Sequence, residues 1–256
     1  MNRIDSLFQN KKQGILSVYF TAGYPHLNDT ETIITELEKA GADLIEIGFP
    51  FSDPVADGPV IQHSSEVSLK NGITLKLLFE QLKNIRQKVK IPLILMGYIN
   101  PVVQYGIEKF CKDASETGID GVIVPDLPLE IYLEEYLHVF QQYNIHNIPL
   151  IPPQTKDERI KKIDEASTGF IYLVSSSSTT GNKAAQNDVL DNFTARLTKL
   201  NLKNPQLIGF GINNKASFDN VCEYARGGII GTAFIKTLDK QGDMVKNIHE
   251  FIESLR

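Results

Sequence analysis

Short apolar runs alternate with segments of helical spacing from one end of this chain to the other, and no other feature constrains its fold as much. Ile15 to Phe20, Leu44 to Phe49, Ile91 to Met96 and Gly121 to Val124 read as strands, as do Ile148 to Ile151, Phe170 to Val174, Gln206 to Phe210 and Gly228 to Gly231. Between them lie amphipathic stretches. Ile33, Ile34 and Leu37 make the buried stripe of a helix capped near Asn28 or Asp29 and ended by Gly41, and Leu75, Leu78, Leu82 and Ile85 make another within Thr74 to Val89. Further helices are predicted over 110–117, 131–143, 159–166, 190–200 and 218–224, with a terminal one over 244–255. Parallel strands require a crossover between neighbours, and these crossovers are right-handed. Eight strands in 256 residues, each followed by a helix, with no linker or shift of composition, predict a single (β/α)₈ barrel domain over residues 1–256. The rival is an open doubly wound sheet, which carries its phosphate site as G-x-G-x-x-G in the first strand-to-helix turn. That turn here reads Thr21-Ala-Gly-Tyr-Pro25. Ile4, Leu7 and Phe8 fit one face of a short helix able to cover an open end of the core.

One residue breaks the apolar logic. Glu46 stands inside Leu44 to Phe49 and shares a face with Leu44 and Gly48, while Ile45 and Ile47 take the other. A carboxyl placed on an interior face loses its hydration, so its pKa rises toward neutrality and it becomes able to act as acid or base. Eleven residues on, Asp57 lies in a loop stiffened by Pro50, Pro54 and Pro59, near the same strand end. Two carboxyls in different environments suit divided acid and base roles. The structural alternatives are an ion pair from a neighbouring strand for Glu46 and a turn or cap for Asp57.

Barrel enzymes build their sites at the C-terminal strand ends. Asp126, the polar loop Ser175 to Gly181, Gly209-Phe-Gly211 and Gly231-Thr232 all follow strands, although Asp126 could simply cap the helix after it. The two glycine turns come after the seventh and eighth strands, just before a possible extra helix over 233–238, where barrels bind phosphate through backbone N–H groups. Tyr19, Tyr98, Tyr172 and Phe210 fall on or just past strands and could wall an aromatic pocket, or belong to the core.

Composition narrows the partners. A net charge of −5 and a pI near 5.6, with no basic cluster beyond Lys11-Lys12 and Lys161-Lys162, argue against nucleic acid. Met1 to Lys12 lacks the apolar segment of a signal peptide and no run is long enough to span a bilayer, so a cytoplasmic protein is expected. Cys111 and Cys222 form no disulfide framework. The 5 histidines show no ligand spacing, so no metal is expected.

From Glu46 to Gln62 the chain reads E-I-G-F-P-F-S-D-P-V-A-D-G-P-V-I-Q, which resembles the signature of the tryptophan synthase alpha subunit family. The resemblance continues through Phe20-Thr-Ala-Gly-Tyr-Pro25, Leu95-Met-Gly-Tyr-Ile-Asn-Pro101, Val124-Pro-Asp-Leu-Pro128, Tyr172-Leu-Val-Ser175 and Gly231-Thr-Ala-Phe-Ile-Lys236. It implies a barrel that cleaves indole-3-glycerol phosphate to indole and glyceraldehyde 3-phosphate. Glu46 and Asp57 match the family's catalytic carboxylates and Tyr172 an active-site tyrosine; Tyr19, Tyr98, Thr180 and Phe210 match the indole pocket; Gly181, Gly211, Gly231 and Thr232 match the phosphate site. The resemblance further implies a beta-subunit partner in an alpha2-beta2 heterotetramer, facing Asp53 and Pro54, with pyridoxal phosphate in that partner and no cofactor in this chain. Ser178, Thr179 and Gly97 depart from the family's common residues, at positions that bear on loop closure. A free-standing lyase and a non-catalytic partner-activating subunit are the other readings.

Overall fold

The structure, a computed structural model, describes residues 1–174, 183–209 and 211–256, the side chains of 183–190 excepted. Its strands form one parallel sheet in the order β5-β4-β3-β2-β1-β9-β8-β7-β6. They are β1 (Ile15–Thr21), β2 (Leu44–Gly48), β3 (Leu93–Met96), β4 (Gly121–Ile123), β5 (His146–Asn147), β6 (Leu150–Ile151), β7 (Ile171–Leu173), β8 (Gln206–Ile208) and β9 (Gly227–Ile230). The two edges of that order are one stretch of chain. β5 pairs with β4 and β6 with β7, so the sheet closes on itself; the fifth strand, expected over Ile148 to Ile151, starts earlier, at His146, and is present in two pieces. Pro149 divides them. Its carbonyl accepts from Tyr172 N–H at 3.0 Å, but its nitrogen has no hydrogen to give the ladder, while Ile148 N–H reaches Val122 O at 2.9 Å. The result is a (β/α)₈ barrel.

Side-chain alternation sorts the apolar residues into two cores. Ile15, Leu44, Ile94, Ile123, Ile148, Phe170, Leu207 and Ile229 fill the barrel. Leu16, Val18, Ile45, Ile47, Leu93, Leu95 and Ile208 face the surrounding helices. Among these helices are α1 (Arg3–Asn10), α2 (Thr30–Ala40), α3 (Pro59–Asn71) and α4 (Leu75–Leu82). Ile33, Ile34 and Leu37 of α2 are buried as expected, and Gly41 ends it at φ +106°. The helix expected over 74–89 stops at Leu82 and resumes as a 3₁₀ turn at Ile85–Gln87. The segment expected as one helix over 131–143 widens to a π-helical turn at Tyr132–Tyr136.

Helix α1 closes the N-terminal end of the barrel. Ile4 is fully buried in the interior cluster, Phe8 packs on Phe170 with ring centroids 5.6 Å apart, and Asn2 accepts from Ile4 N–H. The same end carries a buried carboxylate, Asp120, bonded by Arg3 at 2.9 Å, by Arg86 at 2.6 Å and by Leu93 N–H at 2.9 Å. Every strand therefore opens at its C-terminal end, where the loops converge.

Candidate active site

Glu46 lies on the inward face of β2 with no exposed surface. Ser17 Oγ, from the adjoining strand β1, donates to Glu46 Oε1 at 2.7 Å. Glu46 Oε2 is buried and has no hydrogen-bond partner among the described residues. No cation among the described residues offsets the burial, so desolvation raises the carboxyl from its ordinary value near 4.5 to about 8, with the Ser17 bond working in the opposite direction. At neutral pH Glu46 is mostly a neutral acid, with a proton to give. Among the described residues the ion-pair alternative does not occur.

Asp57 sits in the loop after β2 and is half-buried rather than open to water. Burial raises its pKa and a hydrogen bond from Tyr98 lowers it. Tyr98 Oη donates to Asp57 Oδ2 at 3.2 Å and accepts from Ala56 N–H at 2.9 Å, tying the loop after β3 to the loop after β2. Phe51 packs on Tyr98 with centroids 5.4 Å apart. Asp126 serves a different helix from the one it precedes: its Oδ1 accepts from Ile99 N–H at 2.9 Å, at the start of α5 (Ile99–Tyr105).

Tyr19 and Tyr172 complete the wall. Both are nearly buried, and for both burial raises the phenol pKa, with the negative charge of Glu46 among the lesser causes. Two glycines make room for them: a Cβ at Gly48 would strike Tyr19 Oη, and one at Gly209 would strike the Tyr172 ring. Gly97, the departure noted above, lies against the ring of Phe49.

Gly231 follows β9 beside Tyr19, and a short helix, Thr232–Leu238, starts immediately after it, close to the predicted 233–238. Gly211 follows β8 at φ +71° and is exposed. Since β8 pairs β9 and β9 pairs β1, these turns are neighbours on the rim. Thr180, Gly181, Ser178, Thr179 and Phe210 lie outside the described residues. Asp53 and Pro54 occupy a rim segment flanked by two grooves of about 650 and 630 Å³. A third groove, about 440 Å³, lies at the opposite end around Phe8 and Gln206. Among the described residues no group of His, Cys, Asp and Glu is arranged to hold a metal, and no helix is long and apolar enough to cross a membrane.

Ser17 is the site residue that sequence reading missed. The signal was there: Ser17 interrupts an apolar run and shares the inward face with Ile15 and Tyr19, by the same alternation that singled out Glu46.

A closed parallel barrel whose C-terminal rim carries a neutral buried acid, a second carboxyl and strand-end glycines is a barrel enzyme built for acid-base chemistry. Comparison with known proteins specifies which. The profile of the tryptophan synthase alpha chain family matches residues 6–255. Curated relatives include the tryptophan synthase alpha chains of Flavobacterium psychrophilum, 57% identical, and Flavobacterium johnsoniae, 56% identical, each over 100% of both chains. Among solved structures, the alpha chain from Legionella pneumophila superimposes with a TM-score of 0.89 at 32% identity, covering 100% of this chain and 96% of that one. A tryptophan synthase chain from M. tuberculosis gives 0.88 at 26% identity, covering 100% and 98%. The chain belongs to the tryptophan synthase alpha chain family, and it is a lyase of the alpha reaction, the cleavage of indole-3-glycerol phosphate to indole and glyceraldehyde 3-phosphate.

Proposed function

We propose that Glu46 and Asp57 divide the chemistry of this cleavage between them. The observation that carries the reading is the state of Glu46: fully buried, without a cation among the described residues, and raised to about 8. The bond from indole C3 to the glycerol carbon breaks when C3 receives a proton and the ring can accept the bonding electrons. Glu46 gives that proton. As the adjacent hydroxyl becomes the aldehyde carbonyl, its proton passes to the carboxylate that Glu46 has become, and the acid is restored. Positive charge builds on the indole N–H meanwhile, and the ionised carboxylate of Asp57, held by Tyr98, stabilises it. Tyr172 acts beside Glu46 as the third catalytic residue.

Tyr19, Tyr98, Thr180 and Phe210 hold the indole ring, and Gly181, Gly211, Gly231 and Thr232 hold the phosphate. The chain works as one domain in the cytoplasm, in an alpha2-beta2 assembly whose beta subunit carries pyridoxal phosphate and meets Asp53 and Pro54. The test is indole release from indole-3-glycerol phosphate by the purified chain, alone and with a beta subunit added. Slow release that rises strongly with the partner supports the proposal; fast release indifferent to the partner makes the chain a free-standing lyase, and none in either case rejects the catalytic assignment.

A further inference from the structure

Ser17 has a hydroxyl with no exposed surface, on an inward-facing strand position, and its bond is to the residue assigned above as the acid. The register explains what that bond does. Tyr19 pairs with Glu46 and Ser17 with Leu44, so Ser17 stands one inward layer below Glu46, toward the closed end of the barrel. A bond from below draws Oε1 down. The two oxygens of a carboxyl point apart, so Oε2 is turned away from Ser17, and it is the oxygen left without a partner among the described residues.

We propose that Ser17 is a positioning residue for the cleavage: its hydroxyl holds Glu46 Oε1 so that Oε2 is the oxygen presented to the substrate. In a neutral carboxyl one oxygen accepts and the other carries the proton. Donation from Ser17 makes Oε1 the acceptor, so the proton rests on Oε2, where it can be transferred. The inference rests on the assignment of Glu46 as the acid. The other ionisable groups bearing on the site are Tyr19 on β1, Tyr172 on β7, and Asp57 and Tyr98 on the rim loops; none of them hydrogen-bonds the Glu46 carboxyl among the described residues. Ser17 is therefore the one described group whose removal changes that carboxyl directly.

The experiment is Ser17→Ala in the full-length chain, assayed with the beta subunit across pH. Loss of a hydrogen bond to the ionised form favours the protonated form, so the fall in kcat at high pH should move up by about one pH unit. Turnover near pH 7 should drop about tenfold with KM changed less than about twofold, because an unheld carboxyl spends less time in the reactive orientation. Ser17→Thr, which keeps the hydroxyl, should restore the wild-type pH profile. An unchanged profile and unchanged kcat in Ser17→Ala, with Glu46→Gln inactive, would overturn the role of Ser17 and leave that of Glu46 standing.

A second readout needs no turnover. The infrared difference between each protein and its Glu46→Gln counterpart isolates the Glu46 carboxyl band. Loss of the Ser17 donor should raise the C=O frequency of the protonated form and the pH at which that band disappears. A band identical in both backgrounds rejects the proposal even if the chain proves inactive, and a shifted band in an inactive chain supports it while rejecting the catalytic reading. Should Ser17→Ala fail to fold, Ser17→Cys, a weaker donor, moves every readout in the same direction.

Discussion

Two buried carboxyls stand at opposite ends of the same barrel, and they are served very differently. Asp120, at the end closed by α1, accepts from Arg3, Arg86 and Leu93 N–H. Glu46, near the open end, accepts from one serine and has no cation beside it among the described residues. A buried charge with both oxygens served holds elements together, and Asp120 ties α1, β3 and the Arg86 turn into one end-plate. A buried carboxyl left half-served adds little to stability and keeps its proton available. On the catalytic assignment proposed for Glu46, the difference separates a structural acid from a chemical one by partners rather than by burial, which the two share.

The comparison breaks most visibly on activity. Glu46→Gln should lower kcat by about a thousandfold or more while the far-ultraviolet spectrum and melting cooperativity stay as in the wild type. Substantial turnover in that variant would return Glu46 to a structural role. Asp120→Asn should do the reverse: about 3 kcal/mol less stable to urea, because Arg3 and Arg86 lose their shared anion, with kcat of the folded fraction within about twofold of wild type. A large loss of kcat at full stability would erase the distinction between the two ends. Asp57→Asn should reduce kcat by about a hundredfold with inorganic phosphate binding retained, since it removes charge at the ring nitrogen and leaves the glycine turns untouched. Equal loss of ligand affinity would make Asp57 a positioning group.

The smallest effect tests the sign of the Glu46 environment. Its folded pKa of about 8 lies above the ordinary value near 4.5, so between those values the native state holds a proton that the unfolded chain has lost. Stability that is full below about pH 4.5 therefore declines as pH rises toward 8. Glu46→Gln, which cannot ionise, should gain progressively on the wild type from pH 5 to pH 8. A gap that stays constant across that range would mean that Glu46 is paired after all.

Much of this site was legible in one dimension, and the reason is alternation. An acid at an inward position of an apolar strand is conspicuous, and so are glycines just past the last two strands. The fold was legible on the same grounds, down to the helix that plugs the barrel through Ile4 and Phe8. What escaped were pairings. Ser17 and Glu46 are 29 residues apart, and Tyr98 and Asp57 41 apart; nothing local links them. A cap for its own helix was one of the roles local sequence offered Asp126, because the nearest backbone is the one that sequence shows, while the barrel brings it to Ile99 N–H. Pro149 divides a strand that reads as continuous, because only closure reveals which neighbour its missing N–H faces.

Sequence alone determined the alternation of strand and helix, the inward face of each strand, and hence the barrel, the end at which the loops converge and the acid most exposed to desolvation. These follow from periodicity and from the cost of burying charge, which need no knowledge of distant neighbours. Tertiary structure alone decided that Glu46 meets a serine and Asp120 two arginines, that Tyr98 holds Asp57, and that one oxygen of Glu46 is left without a described partner. Those depend on strand register and on where loops converge, and so on the whole chain having closed.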